Sequence, residues 1–451
     1  MSQLPVTTYL LFQLFVTNQF STAFPPPQEI DSSTQKIVTS IGVTGDKLHK
    51  LGFVVGLISF NQGDDEVRRL ITESFDIARR RNIAVGFHID DQMFWDKRAA
   101  LNDKSNLEWS NWDGALCTSR KLDWGPKPEK SAPQLCLNSP AVEKAVDQRA
   151  LLIGTEIKKQ VDKLKAEGRD ELFACVITGS ESQIGPDFGT NHHTGYHALS
   201  NAGFSSKNSI SECDAQLVKT LRNFISRWAT VLAKSGLPKD KIYCHIAFTP
   251  QGLGGISESN YTEQIGFADP SIAFSNLYRP GFTTYPEDDT FEQIHAVLKS
   301  HGSPPWISAE GTNVVPSGMP GEPTMESYLA KMFNHGAAMV NVYSWGIGGA
   351  EQKNNFFRRA TEGNDAISAY KKFLSGGTLL DQKRPANWLS AKRLQSKIRT
   401  IQAEIPSWVQ RTHRPDLIQP LMIKLDAAIK SGHALEVDKA ADDVLKLLQS
   451  K

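Results

Sequence analysis

Short apolar runs rich in β-branched and aromatic residues alternate with longer stretches of helical periodicity along most of this chain, and that alternation limits its fold more than any single motif does. A run that is apolar throughout, rather than at every second residue, suits a strand covered on both faces, and a helix between successive strands makes the sheet parallel. Eight such runs stand out: Thr8–Val16, Gly52–Phe60, Ile83–Ile89, Leu172–Thr178, Ile242–Phe248, Ile272–Asn276, Trp306–Ala309 and Met339–Ser344. Helical periodicity follows in Asp65–Arg81, Ala141–Glu167, Cys213–Ser235, Thr290–Ser300, Met325–His335 and Asn354–Ser375, and is less distinct after the first and fifth runs. The pattern predicts an α/β fold, a (β/α)8 TIM barrel, whose functional groups gather where the strands end at the C-terminal face. An open doubly wound sheet is the alternative, but no glycine-rich fingerprint follows the first run.

Such a barrel needs about 250 residues or more, so a length of 451 leaves room for an appendage. The expected division is a barrel over 1–380 and a C-terminal helical segment over 381–451. Past Gly376-Gly377, helical periodicity returns in Leu389–Glu404, Asp416–Ser431 and Leu435–Leu448. Leu417, Ile418, Leu421, Leu425 and Ile429 are spaced to form one helix face, which is expected to cover the barrel or a partner subunit. A homo-oligomer therefore stays open. Two loops are unusually long, Asp90–Pro140 and Ser182–Glu212, and loops of that length are commonly functional.

Charge narrows the partners. Lys plus Arg number 50 against 49 Asp plus Glu, a net charge of +1, so no overall field favours a polyanion and nucleic acid is not expected as a partner. The apolar stretch Tyr9–Phe20 is interrupted by Gln13 and Asn18, which makes it too short and polar to span a bilayer. Lacking a basic residue ahead of it, it reads as a strand rather than a signal peptide, and no membrane association is expected. Location stays open: secreted or periplasmic if an upstream signal has been removed, otherwise cytoplasmic. The five cysteines have no C-x-x-C spacing, which excludes a zinc ribbon or redox motif. Cys175 and Cys244 read as small buried hydrophobes, while Cys117 and Cys136 share one long loop and could pair in an oxidising compartment.

The fourth run ends in Gly179-Ser180-Glu181 and the seventh in Glu310-Gly311-Thr312, so each delivers a carboxylate to the barrel mouth. Two carboxylates facing each other are what retaining glycoside hydrolysis requires. In this layout the chain resembles the clan A glycoside hydrolases, (β/α)8 enzymes with an acid/base at the end of strand four and a nucleophile at the end of strand seven. The resemblance implies Glu181 as acid/base and Glu310 as nucleophile, no cofactor and a carbohydrate substrate. It also implies that Trp345, in Tyr343-Ser344-Trp345-Gly346, floors the sugar subsite, and that Tyr278, near strand six, is a partner of Glu310. One departure is Ser180, where the clan usually has an asparagine before the acid/base.

The densest polar cluster closes the third run: His88-Ile89-Asp90-Asp91-Gln92-Met93-Phe94-Trp95. Alternation along a strand sets His88 and Asp90 on one face. They suit hydrogen bonding to sugar diols; a metal site with His192, His193 and His197; or a buried pair that ties two strands together. Trp95, Trp109, Trp112 and Trp124 in the following loop, with Trp345, offer flat faces for sugar stacking. The substrate-binding set is thus His88, Asp90, Asp91, Trp95, Trp112, Ser180, Asn276, Tyr278 and Trp345, with Glu108, Asn111, Asp113, Arg120 and Arg279 as further polar candidates. Glu181 and Glu310 are the catalytic pair, and no bound metal is expected. A metal-dependent hydrolase and a non-catalytic carbohydrate-binding barrel are the competing readings. No G-x-S-x-G elbow or Walker A sequence is present.

Overall fold

The computed structural model describes residues 7–15, 23–122, 129–185, 187, 193–247, 269–284, 291–311, 324–346, 365–381, 391–431 and 434–449. Eight parallel strands form one sheet: β1 Thr8–Phe15, β2 His49–Ile58, β3 Ala84–Ile89, β4 Phe173–Thr178, β5 Ile242–Cys244, β6 Gly281–Thr284, β7 Trp306–Gly311 and β8 Ala337–Gly346. Their order is β5-β4-β3-β2-β1-β8-β7-β6. Parallel bridges Tyr243↔Arg279 and Ile246↔Phe282 join the two ends, so the sheet closes on itself as a (β/α)8 barrel.

Seven of the eight expected strands lie where the apolar runs placed them. The sixth does not: Pro270–Ala273 is a short 3₁₀ turn started by Asp269, which accepts from the Ser271 N–H. The strand itself begins later, at Gly281. Its four residues Gly-Phe-Thr-Thr are too few and too polar to stand out as an apolar run.

Helices pack around the outside: α1 Pro27–Ile41, α2 Asp64–Arg81, α3 Pro140–Ala166, the short α4 Tyr196–Asn201, α5 Ile210–Lys234, α6 Phe291–Ser300, α7 Met325–Asn334 and α8 Ala366–Leu374. Their ends follow local chemistry. α2 opens on Asp64-Asp65-Glu66, closes on Arg79-Arg80-Arg81 and stops at left-handed Asn82, charges that complement the helix dipole. α5 starts in a capping box between Ser209 and Glu212. The long loop after β3 contains two 3₁₀ turns and the hairpin Arg120–Leu122/Glu129–Ser131, and the loop after β4 contains α4.

Strand alternation sorts the core into two. Leu10, Phe12, Phe53, Val55, Val85, Phe87, Val176, Ile242, Phe282 and Val340 face the helices. Tyr9, Leu11, Val54, Ala84, Cys175, Ile177, Tyr243, Ile307, Ala309 and Met339 fill the barrel interior. The C-terminal helices, α9 Ala391–Thr412, α10 Pro415–Ser431 and α11 Ala434–Gln449, pack on one another. Leu394, Ile401, Trp408, Ile418, Leu425, Val437, Ala441, Val444 and Leu448 make a core of their own. Of the face expected to cover the barrel, Ile418, Leu421 and Leu425 pack within this three-helix bundle, whereas Leu417 and Ile429 are exposed. No helix among the described residues is long and apolar enough to cross a membrane. All five cysteines are buried free thiols, Cys117 and Cys136 included.

Closure depends on one glycine. A Cβ on Gly281 would lie 2.0 Å from the Cys244 carbonyl oxygen and 2.9 Å from Ile307, so only glycine lets β6 approach β5. Gly281→Ala should therefore destabilise the barrel by on the order of 3 kcal/mol, read as a lower urea midpoint; unchanged stability would show that the seam tolerates a wider spacing.

Candidate active site

At the C-terminal ends of the strands the interior turns polar. Gln13 on β1, His88 on β3, His245 just after β5 and Asn341 on β8 are all fully buried. His88 Nε2 donates to the Gly179 carbonyl oxygen at 2.9 Å, and its Nδ1 lies 3.2 Å from Gln13 Oε1. Asn341 Nδ2 donates to Gln13 Oε1 at 2.9 Å and to the Ala309 carbonyl at 2.8 Å. His245 Nδ1 is 3.2 Å from His88 Nε2, and His245 Nε2 is 2.9 Å from Thr283 Oγ1. Burial pulls the His88 pKa down to about 4. Burial, reinforced by neighbouring His88, holds that of His245 well below the usual imidazole value.

Both glutamates lie above this floor. Past β4 the chain turns through two left-handed residues, Gly179 at φ 88° and Glu181 at φ 54°. A Cβ on Gly179 would lie 2.1 Å from Ser182 Oγ. Thr283 Oγ1 donates to Glu181 Oε1 at 2.7 Å. Glu310 comes from a bulge in β7: Phe282 pairs with Ser308, whereas the next residue, Thr283, pairs with Glu310. On the other side Val340 pairs with Ser308 and Val342 with Gly311, so β7 again has one residue extra. Strict alternation from Ile307 and Ala309 would point Glu310 outward; the bulge turns it inward. His245 Nε2 is 3.9 Å from Glu310 Oε2. One ligand atom each from Glu181, His245 and Glu310 lie within 4.8 Å of one another.

The other expected residues fall in different places. Asp90 shapes the turn after β3 by accepting from the Gln92 and Met93 N–H groups. Asp91 accepts from Ser182 Oγ at 2.5 Å, tying the β3 and β4 loops together. Ser180 is buried between Gly179 and Glu181. Trp95 is a core residue, 4% exposed, with Nε1 donating to the Pro133 carbonyl; it presents no open stacking face. Trp112 is half-buried, edge-on to Tyr196 at 5.1 Å. Trp345 pairs with Leu14 in the sheet, and its side chain lies outside the described residues, as do Trp124 and His192. Asn276 and Tyr278 need correction. They precede β6 and so sit at the end of the barrel opposite the glutamates. Asn276 is exposed, and the buried Tyr278 hydroxyl donates to the Ile272 carbonyl at 2.6 Å, so Tyr278 is no partner of Glu310. Its expected place depended on the misplaced sixth strand.

Of the loop histidines expected in a metal set with His88, His197 is engaged elsewhere, and His192 lies outside the described residues. His197 stacks on Trp109 at 4.3 Å and its Nδ1 lies 2.7 Å from the Leu107 carbonyl. The residues that sequence reasoning missed are His245, Thr283, Gln13 and Asn341. Period-two counting from Tyr243 points to His245 and from Met339 to Asn341; Thr283 was hidden with its strand.

No family model matches the sequence, and no curated protein matches it. In backbone arrangement the chain is similar to the catalytic domain of a β-amylase from Paenibacillus polymyxa, at 9% identity over 82% of this chain and 97% of that one, with a TM-score of 0.49. It is similar also to an endo-β-1,4-mannanase from Thermotoga petrophila, at 11% identity over 82% and 76%, TM-score 0.39. A D-allulose 3-epimerase from Methylomonas sp. matches at 9% identity over 83% and 97%, TM-score 0.38.

Behind the site, Glu108 fastens the two long loops. Its Oε2 accepts from the N–H groups of Trp109, His197 and Ala198 at 3.3, 3.1 and 3.4 Å. Full burial pushes its pKa up to about 7 despite these donors. A folded-state value above the unfolded one means that the native protein holds an extra proton between about pH 4.5 and 7, so this contribution to stability falls as pH rises through that window. Glu108→Gln should flatten the decline in melting temperature between about pH 5 and 8. An unchanged slope would remove Glu108 as its source.

Proposed function

We propose that this protein is a glycoside hydrolase that acts on a carbohydrate by a two-glutamate double displacement, without a cofactor. The observation behind the proposal is the approach of the two carboxylates: oxygens of Glu181, from the end of β4, and Glu310, from β7, come within 4.8 Å of each other at the barrel mouth. Retaining enzymes hold their carboxyl groups roughly 5 to 5.5 Å apart, whereas inverting enzymes leave roughly 6.5 to 9.5 Å for a water. The close spacing favours retention. Glu181 and Glu310 also occupy the strand positions of the acid/base and nucleophile in the clan A enzymes that the sequence resembles.

In this reading Glu310 attacks the anomeric carbon as Glu181 gives its proton to the departing glycosidic oxygen; Glu181 then takes a proton from the water that releases the sugar from Glu310. The polar floor supports a substrate rich in hydroxyls. Gln13 Nε2 and Asn341 Oδ1 are buried with no hydrogen-bond partner among the described residues, and such groups ordinarily find one. A second reading, a metal-dependent enzyme on the same barrel, rests on the His245 nitrogen that joins the two carboxylates.

The two glutamates should respond differently to removal. An acid/base is dispensable for expelling an activated aryl leaving group, whereas a nucleophile is needed for every substrate. Glu181→Ala should keep glycosylation by dinitrophenyl glycosides, accumulate the glycosyl-enzyme and be rescued by azide. Glu310→Ala should lose turnover of activated and natural substrates alike, by at least about a thousandfold. Equal losses on both substrate types, with no response to azide, would sink this assignment of roles.

A further inference from the structure

The direction of the hydrogen bonds that link His88 to Glu181 follows from one main-chain carbonyl. Gly179 O can only accept, so His88 Nε2, 2.9 Å away, carries a proton. His245 Nδ1, 3.2 Å from that same nitrogen, then faces a donor and presents a lone pair. A neutral imidazole with a bare Nδ1 has its proton on Nε2. That N–H meets Thr283 Oγ1 at 2.9 Å, which leaves the threonine hydroxyl proton to go to Glu181 Oε1 at 2.7 Å. We infer that His88, His245 and Thr283 form a one-way chain of donors that positions the Glu181 carboxylate, with His245 locked as the Nε2–H tautomer.

Two consequences follow for the same site. First, the nitrogen of His245 nearest Glu310 carries a hydrogen in this tautomer, so a metal bound there would have to displace that proton and break the chain; the chain favours the hydrolase reading over the metal-dependent one. Second, Thr283 holds Oε1 of Glu181 at 2.7 Å, on a residue whose own backbone is in the left-handed region. A donor to the ionised form also favours that form. Among the described residues, the groups beside Glu181 are Thr283 from β6, His245 from the β5 end and Glu310 from β7, with His88 behind His245. His245 and Thr283 are thus positioning residues, and their assignment rests on the glycosidase reading.

Nitrogen-15 NMR of histidine-labelled protein reads the tautomer without any substrate. His245, identified by the resonance lost in His245→Gln, should show a bare Nδ1 and a protonated Nε2 from about pH 5 to 8. A protonated Nδ1 with a bare Nε2 would overturn the inference. So would Zn²⁺ binding by calorimetry that His245→Gln abolishes. In kinetics with phenyl glycosides, Thr283→Val, which keeps the shape and removes the donor, should lower kcat by on the order of tenfold to a hundredfold with KM unchanged. It should also move the alkaline limb of the pH profile upward, and Thr283→Ser should restore both. A fall in kcat with an unmoved limb would reduce Thr283 to a packing role and overturn the inference. Retained turnover in Glu181→Ala and Glu310→Ala with phenyl glycosides would instead overturn the glycosidase reading, with the NMR result still deciding the tautomer.

Discussion

The seam between β5 and β6 is the interaction on which the rest of the molecule depends. The strands are only three and four residues long, yet backbone bonds run past their ends: Arg279 N–H to Ile242 O, Cys244 N–H to Arg279 O, Ile246 N–H to Gly281 O and Thr283 N–H to Ile246 O, at 2.9 to 3.0 Å. Without them the sheet would have two open edges of unpaired donors and acceptors. With them, the residue after β5 and the third residue of β6 become neighbours. Those residues are His245 and Thr283. Closure of the fold and assembly of the site are therefore one event.

The barrel interior changes character at a single height. Tyr9 and Leu11 lead to Gln13, Ala84 to His88, Tyr243 to His245 and Met339 to Asn341, each by steps of two along its strand. Below that height the interior is an ordinary packed core. Above it, each buried polar group would cost about 1 to 3 kcal/mol if left unpaired, and four strands accept that exposure to cost together. Mutual hydrogen bonds offset most of it. A layer confined to the C-terminal half, and built from groups that orient one another, is a floor under a site rather than a means of stabilising the barrel, which apolar residues would do more cheaply.

Much of this was legible in the sequence. Seven strands and the main helices follow from apolar runs and helical periodicity, and the two glutamates follow from where β4 and β7 run out of apolar residues. What was not legible has physical causes. β6 is short and half polar, so its hydrophobic signal is weak, and Asn276 and Tyr278 were carried to the wrong end of the barrel with it. Trp95 was read as a mouth residue because a long loop was assumed to be open, whereas this loop has a core of its own, with Leu101, Leu135 and Leu137 also buried. Asp90 and Asp91 are expected as substrate ligands from sequence; one oxygen of each accepts bonds that hold the turn and the neighbouring loop. Of the C-terminal stripe only Ile418, Leu421 and Leu425 pack, and they do so against the neighbouring C-terminal helices; a sequence pattern does not name the surface it packs on.

The two glutamates are also where the chain departs from local rules. A non-glycine residue in the left-handed region costs about 1 to 2 kcal/mol, and Glu181, with a Cβ and no glycine's freedom, adopts it at φ 54°. Two residues earlier Gly179 does the same at no such cost, so the turn alone does not require the strain at Glu181. In β7 a regular ladder would send Glu310 outward, toward the side where Ser308 meets the Tyr328 hydroxyl of α7 at 3.2 Å; one extra residue sends it inward instead. Each distortion by itself is a minor irregularity. Both bring a carboxyl group over the same polar floor, from strands with β5 and β6 between them. An unfavourable backbone at Glu181 and a bulge at Glu310 are irregularities of the kind that gather at functional sites, and the Thr283 hydroxyl that meets Glu181 Oε1 at 2.7 Å comes from the strand that closes the barrel.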